Sequence, residues 1–172
     1  MAFQLLVANR RMQTILLVDV PEGDAPVLAS ALRLEGYRVV LAGSVPDARA
    51  ALAQNPAAIA VVDLMIRTDS GGNGLEFARE LRATHPAMRV ILTSSYCLSE
   101  RQLERADCGV SGFIPKPYDI TEVVSFIHAK ASCPPSSRRL WHAEAPSGVT
   151  PRPTETEAYA VAAAAGGVRG RS

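Results

Sequence analysis

Cysteine is scarce in this sequence, and the three present, Cys97, Cys108 and Cys133, are odd in number and lack the spacing of a metal site. A disulfide framework and a zinc cluster are therefore excluded, which leaves reduced thiols. A surplus of one charge sign is missing too. The formal net charge is +1, with acidic and basic residues mixed along the chain, so there is no electrostatic footprint for nucleic acid or an anionic membrane. A DNA-binding role would need an output domain that this sequence does not show. Long apolar runs are also absent: Phe3 to Ala8 is too short to span a bilayer, and Arg10 and Arg11 follow it rather than precede it as in a secretory signal. These absences point to a cytoplasmic protein. What remains is 172 residues, 48% of them hydrophobic, enough for one core with tails.

Five apolar runs read as strands buried on both faces: Thr14 to Asp19, Arg38 to Ala42, Ala58 to Asp63, Arg89 to Thr93 and Gly112 to Pro115. Helical periodicity fills the gaps at about Ala25–Glu35, Val45–Gln54, Leu75–Thr84, Ser99–Ala106 and Ile120–Ala131. Ser44 with Asp47, Ser99 with Gln102, and Asp119 with Glu122 have capping-box spacing, and Gly36 stops the first helix. Alternation of this kind predicts an α/β fold, a parallel sheet covered by helices on both sides. The predicted organisation is an extension over residues 1–13, a domain over 14–132, and a tail over 133–172. The tail carries Pro134, Pro135, Pro146, Pro151 and Pro153, an alanine run and few large apolar groups apart from Trp141, so it is expected to be disordered.

In an open parallel sheet, ligands bind beyond the carboxyl ends of the strands. The first strand ends on Asp19, the third on Asp63, the fourth leads through Thr93 into Ser94, and the fifth leads to Lys116. Two carboxylates, a hydroxyl and an ammonium are thereby brought to one sheet edge. That set suits phosphoryl chemistry on a carboxylate: Asp63, the central group, as nucleophile, a divalent cation on the carboxylates, and Lys116 and Ser94 on the phosphoryl oxygens.

The segments ILLVD, VVDLM, GLEFARELR, VILTSSY and GFIPKPYD resemble, in order and spacing, the landmarks of response-regulator receiver domains over about residues 14 to 131. The resemblance implies a doubly wound five-stranded parallel sheet in the flavodoxin-like order 2-1-3-4-5. It implies Asp63 as phosphoacceptor, Ser94 as the hydroxyl switch, Lys116 as the phosphate-sensing lysine and Phe113 as the aromatic switch. A magnesium ion held by Asp19, Asp63 and the backbone carbonyl of Met65 follows from it, as does a cis bond between Lys116 and Pro117. Thr93 competes with Ser94 for the switch position; Ser94 is preferred because Ser95 and Tyr96 then fill the small and aromatic positions after it.

Two departures stand out. Receivers like this carry adjacent acidic residues after the first strand, whereas here Asp19 is followed by Val20, whose isopropyl group supplies no oxygen to a hard cation. Magnesium is therefore expected to bind weakly unless Glu22 reaches the site. The loop from Ile66 to Gly74 is also longer than the family's short proline turn, and Gly71, Gly72 and Gly74 are expected to make it flexible.

The implied function is a stand-alone receiver, not an enzyme beyond its own phosphotransfer, that takes a phosphoryl group on Asp63 from a histidine kinase or phosphotransfer protein and acts on a downstream protein. The competing reading is a pseudo-receiver that binds partners without phosphorylation, which Val20 favours and the intact Asp63, Ser94 and Lys116 oppose. A phosphatase on the same fold is disfavoured because no second catalytic acid closely follows Asp63. Lys116 and Asp63 are expected to pair in the unphosphorylated protein.

Overall fold

The computed structural model describes residues 13–21, 23–69, 71–96, 98 and 110–132. In chain order these form β1 (Thr14–Val18), α1 (Ala25–Leu34), β2 (Arg38–Ala42), α2 (Val45–Gln54), β3 (Ile59–Asp63), α3 (Gly74–Thr84), β4 (Arg89–Ser94), β5 (Gly112–Pro115) and α4 (Ile120–Ser132). All strand pairings are parallel, in the order β2-β1-β3-β4-β5, as the sequence led one to expect. The helix expected over 99–106, the Ser99 cap, all three cysteines, Glu22, residues 1–12 of the N-terminal extension and the tail lie outside the described residues.

Every residue of β1 and β3 is buried, because these strands sit centrally with helices on both faces, while the edge strand β2 is partly exposed. Side chains alternate across the sheet. Leu16, Val18, Val62 and Leu92 therefore join one core layer with α2 and α3, whereas Leu17, Val61, Ile91 and Ile114 join the other with α1 and α4.

Local chemistry fixes the ends of these elements. Ser44 Oγ accepts from the Asp47 amide at the start of α2, but its hydroxyl donates to the Asp47 carboxylate, so only one arm of the expected capping box forms. Asp119 Oδ1 accepts from the Glu122 amide at the start of α4. Gly36, at φ 91°, takes the left-handed conformation that ends α1.

Gly74 does something different from the flexibility its composition suggested. A Cβ there would lie 2.0 Å from the Asp63 carbonyl oxygen, so glycine lets α3 start against the backbone of Asp63. The loop before it is closed by Thr68 N–H to Gly72 O and Gly71 N–H to Thr68 O, both 3.0 Å. Gly74→Ala should therefore destabilise the domain by about 2–3 kcal/mol, the upper range for overpacking. A denaturant melt showing a change below about 0.5 kcal/mol, the scatter of surface substitutions, would count against this close contact.

Candidate functional site

The parallel register assembles the site. Val18 pairs with Val62, Asp63 with Thr93, and Ser94 with Pro115, so Asp19, Asp63, Ser94 and Lys116 all emerge along one edge. Asp19 and Asp63 are almost wholly buried, at 9% and 8% exposure, which is affordable only if their charges are met.

Lys116 meets both. Its Nζ lies 2.8 Å from Asp19 Oδ2 and 2.5 Å from Asp63 Oδ2, the pairing expected from the sequence. The remaining oxygens accept from backbone: Asp19 Oδ1 from the Val20 amide at 2.7 Å, Asp63 Oδ1 from the Met65 amide at 2.6 Å. Burial pushes the Lys116 ammonium toward deprotonation, but its hydrogen bonds to Asp19 and Asp63 outweigh that and hold its pKa above the ordinary lysine value. Its backbone is held as well: the Lys116 amide donates to Ser94 O at 2.7 Å, and the bond to Pro117 is cis.

Ser94 is fully buried, and its Oγ accepts from the Tyr96 amide at 3.0 Å, which leaves the hydroxyl proton available to donate. Thr93, the rival position, points by the sheet's alternation to the side shared with Asp19 and Asp63, whereas Ser94, preferred from the sequence, points to the opposite layer. It lines a small cavity with Asp19, Leu17, Val61, Leu28 and Tyr118. Phe113 is 2% exposed and packs within the core layer on the α2 and α3 side.

Tyr118 is a neighbour of the site that sequence reasoning assigned no role. Burial raises its phenol to about 12, with Asp24, Asp19 and Asp63 adding to the rise and Lys116 opposing it. The signal in the sequence was an aromatic residue two places beyond Lys116, across a proline.

A magnesium ion needs oxygen donors, and the pocket has few. Among the described residues no three His, Cys, Asp or Glu side chains gather as a metal cluster. Asp19, Asp63 and the Met65 carbonyl are compatible with an ion that commonly keeps several waters and takes one or two carboxylates. Val20, 48% exposed, adds no ligand, and two carboxylates against one ammonium leave a single net negative charge to attract the cation. The residues fit magnesium, with little charge to hold it.

Comparison with known proteins agrees with this geometry. The response regulator receiver domain family matches residues 15–128. The photosynthetic apparatus regulatory protein RegA of Cereibacter sphaeroides is 32% identical over 124 residues, covering 72% of this chain and 66% of that protein. The probable transcriptional regulatory protein TcrX of Mycobacterium tuberculosis is 32% identical over 126 residues, covering 71% of this chain and 51% of that protein. The match thus spans only half to two thirds of the length of these relatives. Among solved structures, the non-phosphorylated HemR receiver domain of Leptospira biflexa superposes with a TM-score of 0.62 at 26% identity, over 70% of this chain and 95% of that one. No described helix is long and apolar enough to cross a membrane.

Proposed function

Because the chain belongs to the response regulator receiver domain family, we propose that it is a receiver whose Asp63 accepts a phosphoryl group from a histidine kinase or phosphotransfer protein in the cytoplasm and passes the signal to a protein partner. The observation that carries this reading is the Lys116 ammonium bridging two buried carboxylates at the strand ends. An Asp63 carboxylate oxygen attacks phosphorus, the new O–P bond replaces the bond to the donor, and the donor's leaving group departs with the electron pair. Lys116 then exchanges one carboxylate partner for phosphoryl oxygens, and a hydroxyl of β4 donates to another; Thr93, on the face of Asp63, is better placed for this than Ser94, and Phe113 repacks with them. Magnesium on Asp19, Asp63 and the Met65 carbonyl would offset phosphoryl charge when bound.

The test is incubation with magnesium and acetyl phosphate, read by intact mass. Wild type should gain one phosphoryl group and Asp63→Asn none. If wild type gains nothing while still folded, the phosphorylation-independent binding module becomes the better reading. Val20, which adds no oxygen to a pocket with one net negative charge, favours that alternative.

Residues 14–132 are proposed to be the folding unit, since the five strands and α4 all end by Ser132. A chain stopped at Ser132 should melt within about 5 °C of the full chain, equivalent to roughly 1 kcal/mol for a domain of this size. A larger drop would show that residues 133–172 pack on the domain.

A further inference from the structure

We propose that Arg67 is a phosphoryl-binding residue: a guanidinium on the extended loop beside the phosphoacceptor that recruits the phosphodonor and holds the phosphoryl group delivered to Asp63. The inference rests on the phosphotransfer reading and adds a residue to it. Asp63's own backbone sets where Arg67 sits. The Ile66 amide donates to the Asp63 carbonyl at 3.2 Å, and the Ile66 side chain is anchored in the core. Consecutive Cα atoms are about 3.8 Å apart, so Arg67 leaves the chain one step from a residue that touches the phosphoacceptor. On its other side, Thr68 is tied to Gly72 and Gly71. The backbone of Arg67 is thus fixed at both ends, in a loop whose length is this chain's departure from its family.

The charge pattern makes the position informative. Arg67 is exposed and has no hydrogen bond or ion pair among the described residues. The acid nearest to it along the loop, Asp69, is engaged by Arg49 at 3.2 Å, and Arg49 in turn holds Glu80 at 2.7 Å. Lys116 is shared between Asp19 and Asp63. A phosphodonor therefore approaches a pocket with one net negative charge and a short ligand set for magnesium. Arg67 is an exposed cation four residues beyond Asp63 that no carboxylate among the described residues has claimed. A guanidinium matches phosphoryl oxygens in geometry as well as charge, through two parallel N–H donors. Its free state is explained if its partner arrives with the substrate.

The experiment uses the full chain with acetyl phosphate and magnesium, following the rate of phosphoryl gain by intact mass across donor concentrations. Asp63→Asn marks the modified residue. Arg67→Ala should raise the half-saturating donor concentration about five- to twentyfold, which is roughly 1–2 kcal/mol at 1.4 kcal/mol per tenfold, with little change in the plateau rate. Arg67→Lys should recover part of the loss, and Arg67→Glu should exceed it. Raising ionic strength should weaken donor binding more in wild type than in Arg67→Ala, because only wild type has the attraction to screen. A merely structural arginine would lower the melting temperature without this salt signature. If wild type is phosphorylated and Arg67→Ala and Arg67→Glu share its half-saturation, Arg67 has no such role and the receiver reading stands. If wild type gains no phosphoryl group, both fail together.

Discussion

Lys116→Met should cost the domain about 3 kcal/mol of folding stability, equivalent to roughly 12 °C in melting temperature. Methionine keeps the length and apolar stem of the side chain, so the loss isolates the charge. What it leaves is Asp19 and Asp63 facing each other, with side chains only 8% and 11% exposed and no cation between them. Removing one partner of a buried pair is costly because the surviving charge is uncompensated; here two survive. The Val20 and Met65 amides still donate to them, which keeps the estimate at the lower end of the usual range.

The pH dependence distinguishes this cause from a packing defect. The folded protein holds the Lys116 pKa above 10.5, so the stability from its charged form is fully present below that value and is lost only as pH rises through the raised one. Wild type should therefore keep its advantage across neutral pH and lose it in strong alkali. Lys116→Met lacks that group, so the gap between it and wild type should close in strong alkali. Adding Asp63→Asn to Lys116→Met should restore at least half of the lost stability, a coupling that a double-mutant cycle reads directly. Chemical denaturation showing a cost under about 1 kcal/mol for Lys116→Met, independent of pH, would sink the idea of a charge-neutralising bridge.

The fold was legible because its signals are local and redundant. The apolar runs gave β2 and β5 their full bounds and the other strands theirs to within a residue. The central strands, buried on both faces, must be apolar throughout, and the edge strand β2, though partly exposed rather than doubly buried as expected, is still largely apolar. Gly36 marked the end of α1 by the one backbone conformation that favours it. The convergence of Asp19, Asp63 and Lys116 was legible as well, because a parallel sheet in that order leaves little freedom at its carboxyl edge. What could not be read was whatever depends on close approach between distant segments. Gly74 looked like a flexible position until the Asp63 carbonyl was found where its side chain would be. The Arg49 bridge from Asp69 to Glu80, which ties the long loop to α2 and α3, joins residues 20 and 31 positions away and leaves no periodic trace. Tyr118 drew no attention, since an aromatic residue after Lys-Pro has no signature until the core around it is built.

Val20→Asp should tighten magnesium binding at least about tenfold, since even indirect changes around metal sites shift affinity by roughly 10 to 100-fold. Position 20 directly follows Asp19, and its side chain is 48% exposed, so a carboxylate fits there without displacing core. It would supply the oxygen that isopropyl lacks and double the net negative charge facing the cation, from one to two, with Lys116 in place. Phosphorylation of Asp63 by acetyl phosphate should quicken in parallel. Without metal the same substitution should lower stability, because a third carboxylate joins a site whose single ammonium already serves two. A magnesium titration by calorimetry, paired with denaturant melts in chelator and in excess magnesium, separates these effects: the variant should be the less stable protein in chelator and recover in magnesium. If wild type binds magnesium as tightly as Val20→Asp, an oxygen elsewhere, with Glu22 the first candidate, is completing the site. The binding-module reading would then lose the observation that favours it.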